Sequence, residues 1–177
     1  MIIDSFTWLY PNYLKLSSLV KTHDNHHGLL LVGDSGIGKR VLAFQLAGDY
    51  LDSERLKPKA KAYLTSTLNE YLDSPLFHPD CYFVSPEEKK SSIGIDNIRE
   101  LKESLNKTSL KGKGKVGIIY PVELMQRSAA TSLLKILEEP PDETLLILIA
   151  ENIHNIPSTI ISRVQIHNTK KPSALET

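Results

Sequence analysis

The chain has 177 residues, of which 41% are hydrophobic and 24% are charged, and its formal net charge at pH 7 is zero. These values are ordinary for one globular domain, and the balanced charge does not indicate a broadly basic surface for nucleic acid. The single cysteine, Cys81, excludes an internal disulfide and a cysteine cluster around zinc within the chain. The longest apolar run, residues 145–150, is too short to cross a bilayer, and residues 1–5 show no signal-peptide pattern. We therefore expect a cytoplasmic protein with no membrane contact.

The first third of the chain predicts a helix, a strand and a second helix. Apolar residues recur at rough helical spacing around Pro11. The apolar strand at residues 29–32 ends in a glycine-rich turn, and a helix with one apolar face follows from about Lys39 to Tyr50. Residues 51–77 are also compatible with helix. Three histidines precede the strand without an acidic or thiol partner at a suitable spacing, so no metal site is predicted; they are His23, His26 and His27.

The rest of the chain alternates short strands with helices. Strands are predicted at residues 81–84, 116–120, 144–150 and 164–167. Helices are predicted after an N-cap at Asp96 and over residues 124–138, with a proline-started turn at residues 157–162. Continuous apolar strands between helices predict an α/β fold, a five-stranded parallel sheet with helices on both faces. A ligand is then expected at the carboxyl ends of the strands, at the loop after the first one.

That loop has the residues of a phosphate-binding loop with one departure. Backbone N–H groups of a glycine-rich turn can surround phosphate oxygens, and a following lysine can reach the outer phosphates. Where the pattern G-x-x-x-x-G-K-[ST] requires a hydroxyl for Mg²⁺, the chain has an arginine, which cannot ligate a metal. Binding of ATP or ADP without hydrolysis and a turn without ligand both remain open. The candidate nucleotide-binding residues are Gly33, Asp34, Ser35, Gly36, Ile37, Gly38, Lys39 and Arg40.

Five segments in order carry a resemblance to a known family: Leu29 to Lys39, His78-Pro79-Asp80, Ile95 to Leu101, Ala129 to Pro141 and Thr159 to Arg163. This set resembles the AAA+ domain of bacterial clamp loaders, which are P-loop NTPases, and it looks most like their delta-prime family. The string L-L-K-I-L-E-E-P-P is its most specific part. The resemblance implies a AAA+ domain over residues 1–170, with residues 171–177 as a tail or the start of a linker to lid and collar domains.

The resemblance also implies roles for single positions. The acidic metal-binding and water-activating pair of active members corresponds to Tyr120 and Pro121, and neither can hold Mg²⁺ or orient water. A residue that senses the γ-phosphate corresponds to about Glu151, whose carboxylate would repel that phosphate. Ser162 and Arg163 match the S-R-C motif with Val164 in place of the cysteine, so Arg163 is expected to act on ATP bound by a neighbouring subunit. The delta-prime family's four-cysteine zinc module has no counterpart in residues 51–77, so no zinc is expected.

These implications predict a stator-like clamp-loader subunit that does not hydrolyse ATP. Its expected partners are the gamma/tau and delta subunits and, through the assembled complex, primed DNA and the sliding clamp. The alternatives are an ATP-hydrolysing motor subunit, a pure scaffold with a vestigial loop, and a small P-loop kinase. For Arg163 the other explanation is a surface ion pair with a carboxylate. The lysines of residues 107–115 fit either phosphate contacts or a solvated loop, and the solvated loop is the commoner case.

Overall fold

A computed structural model describes residues 7–22, 28–52, 78–87 and 90–169. Its centre is one sheet of five parallel strands in the order β2-β3-β4-β1-β5. The strands are β1 (Gly28–Val32), β2 (Cys81–Val84), β3 (Lys115–Ile119), β4 (Thr144–Ala150) and β5 (Gln165–Asn168). Strands β1 and β4 are buried along their whole length, which explains their continuous apolar sequences. The predicted five-stranded parallel sheet is confirmed.

Helices cover both faces of this sheet, as predicted. Helices α1 and α2 enclose one apolar cluster, and α3, α4 and α5 enclose the other. Successive residues of β1 point to opposite faces, so Leu29 lies in the first cluster and Leu30 in the second. The helices are α1 (Tyr10–Lys21), α2 (Lys39–Tyr50), α3 (Ile95–Asn106), α4 (Arg127–Glu138) and α5 (Ser158–Ile161), with 3-10 turns at Thr7–Leu9, Val122–Leu124 and Ile153–Asn155.

Helix α2 has the predicted bounds but not the predicted single apolar face. Every residue of it except Arg40 is buried, because α1 lies on one side and the strands on the other. The helix that carries Lys39, the lysine predicted to bind phosphate, is therefore held on nearly all sides. Arg40 alone emerges from it, half-buried, at the end nearest the loop.

Several predicted boundaries are wrong by a few residues. Helix α3 has Gly94 as its N-cap, and the Gly94 N–H donates to Asn97 Oδ1 at 2.9 Å, so Asp96 is not the cap. Helix α4 begins at Arg127 and not at residue 124, because residues 122–124 form a 3-10 turn. The turn predicted over residues 157–162 contains α5.

Strand β5 begins at Gln165, one residue later than predicted. Three predictions fall outside the described residues. They are the helical structure of residues 51–77 from residue 53 onward, the role of the three histidines, and the tail at residues 171–177. The boundary at residue 170 stays a prediction.

Candidate functional site

The loop between β1 and α2 has the backbone shape that its glycines predict. Gly36 and Gly38 have φ angles of 78° and 92°, a region that favours glycine, and Gly38 is the N-cap of α2. Ile37 is buried, and its carbonyl accepts a hydrogen bond from Trp8 Nε1 at 2.9 Å. The predicted strand, loop and helix are thus present, and the N-terminal segment ties down the loop.

Gly33 is required by a close approach of the chain after β5. Thr169 donates from both its backbone N–H and its Oγ1 to the Val32 carbonyl, at 2.7 and 2.8 Å. A Cβ at Gly33 would lie 2.4 Å from both the carbonyl oxygen and Oγ1 of Thr169. The next two loop residues, Asp34 and Ser35, are exposed.

Lys39 binds the loop's own backbone. Its Nζ donates to the carbonyls of Gly33 and Asp34, each at 2.6 Å, and the residue is buried. Burial lowers the pKa of Lys39, while the carboxylates of Glu151, Glu123 and Asp34 oppose that shift. The ammonium that should reach a phosphate is therefore held by carbonyl oxygens in a field of three carboxylates.

Arg40 and Tyr120 lie together, and these are two of the positions at which the sequence predicts that metal-binding groups are missing. The Arg40 guanidinium carbon is 5.0 Å from the centre of the Tyr120 ring, a cation–π contact. Burial raises the pKa of Tyr120; Arg40 opposes that shift, and Glu151, which accepts a hydrogen bond from the Tyr120 hydroxyl, adds to it. The Tyr120 side chain thus contacts the Arg40 guanidinium with its ring and Glu151 with its hydroxyl.

Glu123 holds the turn at the end of β4. One oxygen of its carboxylate accepts hydrogen bonds from the backbone N–H groups of Glu151 and Asn152, the latter at 2.8 Å. The other oxygen is buried and has no hydrogen-bond partner among the described residues. Glu151 directly follows β4, where the sensing residue was expected.

This arrangement does not fit Mg²⁺, which needs oxygen ligands in octahedral geometry. Position 40 carries a guanidinium in contact with the Tyr120 ring, and one oxygen of the Glu123 carboxylate accepts two backbone N–H groups, which leaves a single buried oxygen on that side chain. The loop itself stays accessible, because a Cβ added at Gly36 would meet no atom within 4 Å.

Arg163 lies in a different place and is already paired. One of its amino groups contacts a carboxylate oxygen of Glu138 at 2.7 Å, and the other donates to the Thr159 carbonyl at 2.9 Å and to Ser162 Oγ at 3.1 Å. The side chains of the ion pair are 36% and 49% exposed, so solvent weakens the attraction. Arg163 and Ser162 are thus together at the surface, and the surface pairing considered from the sequence exists.

The two halves of the predicted site, Arg163 and the loop after β1, lie at opposite ends of the parallel strands. Arg163 is at their amino ends and the loop is at their carboxyl ends. A Cβ at Gly28, the first residue of β1, would be 3.5 Å from the Arg163 carbonyl oxygen, whereas the phosphate-binding loop follows the last residue of β1. At roughly 3.3 Å per residue, this five-residue strand separates them by about 16 Å. The guanidinium of Arg163 therefore does not serve the loop of its own chain.

Asp80 is a structural residue that sequence reasoning did not explain. Its side chain is almost completely buried, and it accepts hydrogen bonds from Leu110 N–H at 2.7 Å, Lys111 N–H at 2.9 Å and Ser109 Oγ at 3.1 Å. The His-Pro-Asp motif was visible as a string. A partner some thirty positions away left no local signal.

Two classes of site can be addressed within the described part of the chain. No three His, Cys, Asp or Glu side chains there converge as a set that could hold a metal ion. No helix in residues 7–22, 28–52, 78–87 or 90–169 is both long and apolar enough to cross a membrane.

Comparison with known families matches residues 11–173 to the family described as "DNA polymerase III, delta subunit". The chain belongs to this family. Among curated relatives of the DNA polymerase III delta-subunit family, the delta' subunit of Escherichia coli K12 is 31% identical over 94% of this chain and 49% of its own length. The delta' subunits of Pseudomonas aeruginosa and Bacillus subtilis are 35% and 33% identical. They are covered over 47% and 50% of their lengths, so this family member spans about half of the relatives it matches.

Solved structures agree with the family assignment. A DNA polymerase III gamma subunit-related protein of Thermotoga maritima superposes with a TM-score of 0.66 at 25% identity, over 90% of this chain and 47% of that one. A RuvB variant of the same organism gives 0.58 at 14% identity, over 91% and 43%, which supports the fold alone. The fold of this delta-subunit family member is thus the AAA+ P-loop fold, as the resemblance implied.

Proposed function

We propose that the chain is the AAA+ part of a delta-prime-type clamp-loader subunit that does not hydrolyse ATP. In this role it docks on a gamma/tau subunit and works beside delta. It presents Arg163, aided by Ser162, to ATP bound by its neighbour, and the assembled complex loads the sliding clamp onto primed DNA. Replication relatives support a cytoplasmic location.

The observation that carries the proposal is the separation of Arg163 from its own loop. An arginine that stabilises the charge of phosphoryl transfer must touch the phosphate oxygens. The backbone of Arg163 lies beside the first residue of β1, and the loop follows the other end of that strand, about 16 Å away and beyond the reach of an arginine side chain, so only a nucleotide on another chain can receive it. Its exposed pairing with Glu138 is weak enough to exchange for a phosphate contact.

The contacts of the loop support the absence of hydrolysis. Arg40 and Tyr120 engage each other where a metal ligand and a carboxylate would be needed, and Lys39 is occupied by carbonyls. We propose that ATP or ADP, where it binds, is held without turnover, and that no zinc is required. Three carboxylates around Lys39 disfavour a phosphate chain at this site.

A pure scaffold is the second candidate, and the Arg163–Glu138 ion pair favours it. If the pair is only structural, Arg163 should behave like another exposed arginine in an ion pair. Arg99 is a suitable comparison, since it is 63% exposed and contacts Asp96 at 3.2 Å.

The test is ATP turnover by the reconstituted clamp loader on primed DNA, with the full-length protein in which this chain occurs. The variants are Arg163→Ala, Glu138→Gln, Lys39→Ala and the control Arg99→Ala. We expect Arg163→Ala to reduce turnover at the facing site on the order of a thousandfold, so that total turnover falls by the share of that site. The other three variants should change turnover little.

Two results would contradict the proposal. Equal turnover in Arg163→Ala and Arg99→Ala would indicate a scaffold. A loss with Lys39→Ala and none with Arg163→Ala would indicate that the loop of this chain is itself active.

A further inference from the structure

The ion pair between Arg163 and Glu138 joins two segments that pack against the start of β1. Glu138 is the last residue of α4, and Arg163 lies between α5 and β5. A Cβ at Gly28 would lie 3.1 Å from Leu137 Cδ2 and 3.5 Å from the Arg163 carbonyl oxygen, so this glycine lets both segments approach the strand closely. The backbones that carry the two charged side chains are therefore held near each other, while the side chains themselves are partly exposed.

Glu138 is not placed to stabilise its own helix. The carboxyl end of a helix is the negative end of the helix dipole, so an anionic side chain in the last turn is unfavourable there. In the part of the chain that the structure describes, the cation within ion-pair distance of Glu138 is Arg163, with 2.7 Å between an amino nitrogen and a carboxylate oxygen. Arg163 thus offsets the unfavourable position of the Glu138 charge, and Glu138 in turn holds the guanidinium.

A phosphate and Glu138 compete for the same side of that guanidinium. One amino group of Arg163 contacts Glu138, and the other donates to the Thr159 carbonyl and to Ser162 Oγ. A phosphate brought to the first amino group would lie beside the carboxylate, and the two anions would repel each other. The phosphate must therefore displace Glu138, whereas the contacts with Thr159 and Ser162 can remain.

We propose that Glu138 is an internal competitor for Arg163, which occupies the guanidinium until the phosphates of ATP on the neighbouring subunit displace it. This inference rests on the proposed function of Arg163 and adds a regulation to it. A group that is free for only a fraction of the time binds its ligand more weakly by that fraction. Glu138 therefore lowers the affinity of the facing site for ATP, and it takes the guanidinium back when the phosphate leaves.

The test is the affinity of the reconstituted clamp loader, containing the full-length protein in which this chain occurs, for a fluorescent non-hydrolysable ATP analogue. Glu138→Gln keeps the size of the side chain and removes its charge. A neutral acceptor holds a guanidinium more weakly than a carboxylate does. We therefore expect the Kd of the facing site to fall about two- to fivefold, the range that exposed ion pairs account for. The gain should shrink as salt is added, because salt already screens the wild-type pair.

The matched control is Glu139→Gln, which removes the same charge from the next residue. Glu139 is also exposed, but its carboxylate is not the one that contacts Arg163, so the Kd should stay unchanged. Arg163→Ala should raise the Kd, and in that background Glu138→Gln should have no further effect. The unfolding midpoints of both glutamine variants should stay close to that of the wild type, because an exposed ion pair contributes little to stability.

The outcomes separate this inference from the proposed function. If Arg163→Ala raises the Kd but Glu138→Gln leaves it unchanged or raises it, Arg163 acts on the neighbour's ATP and Glu138 is not a competitor. An equal fall in Glu138→Gln and Glu139→Gln would be an effect of surface charge alone and would overturn the inference. An unchanged Kd in Arg163→Ala would overturn the proposed function, and the competition with it.

Discussion

Asp80, directly before β2, gives a direct test of which hydrogen bonds hold the loop between α3 and β3 against the sheet. Its carboxylate is 1% exposed and accepts three hydrogen bonds, from Leu110 N–H, Lys111 N–H and Ser109 Oγ. Asp80→Ala removes all three and leaves partly buried N–H groups unpaired. Because a buried donor without a partner costs about 1–3 kcal/mol and these donors are partly solvated, we expect a loss of about 2–3 kcal/mol in the free energy of unfolding.

The size of the effect should follow the number of acceptors retained. Asp80→Asn keeps one accepting oxygen and places an N–H₂ group against the remaining donors, so we expect a loss of about 1–2 kcal/mol. The control is Asp96→Ala, whose side chain is 90% exposed in a pair with Arg99 and whose removal should cost less than about 1 kcal/mol. Urea unfolding measures all three. Similar losses for Asp80→Ala and Asp96→Ala would refute the reasoning.

Two further predictions concern the phosphate-binding loop. Gly33→Ala should lower the free energy of unfolding by about 1–3 kcal/mol or more, because its Cβ would meet Thr169 atoms at 2.4 Å. A Cβ at Gly36 would meet no atom within 4 Å, so Gly36→Ala should cost only the strain of its φ of +78°, about 1–2 kcal/mol. Thermal unfolding of both variants measures the two losses of free energy. A larger loss for Gly36→Ala than for Gly33→Ala would contradict the argument from the Thr169 contact. Lys39, whose pKa burial lowers from 10.5, binds fewer protons in the folded state than in the unfolded state. The unfolding free energy of the wild type, relative to Lys39→Met, should therefore rise as pH increases toward 10.5, and a flat difference would argue against a desolvated ammonium.

The elements of the site were predictable where their signal is local. A run of apolar residues followed by Gly33, Gly36, Gly38 and Lys39 specifies strand, turn and helix within a short stretch of chain. The alternation of apolar strands with helices then leads to a parallel sheet, since parallel strands need crossovers and covered faces. The errors fall at ends of elements, such as the N-cap of α3, where Gly94 and Asn97 replace the expected Asp96.

Contacts between distant segments had no such signal. Two such contacts are the one between Arg40 and Tyr120 and the hydrogen bonds of Asp80 to residues 109–111. Both depend on which strands are neighbours in the sheet. The residues were visible as substitutions or motifs in the sequence. Their partners were not, because long stretches of chain separate them, and only the packing of β2, β3 and α2 brings them together.

The sequence by itself determined the fold class and the family, because these depend on residue types in short ordered motifs, and the same motifs predict that positions 40, 120 and 121 do not bind a metal. Only the tertiary structure decided that Lys39 binds the carbonyls of its own loop and that Arg163 lies at the other end of β1 from that loop. The physical reason is that side-chain identity limits the chemistry available at a position, whereas the direction of each strand and the order of strands decide which groups can meet.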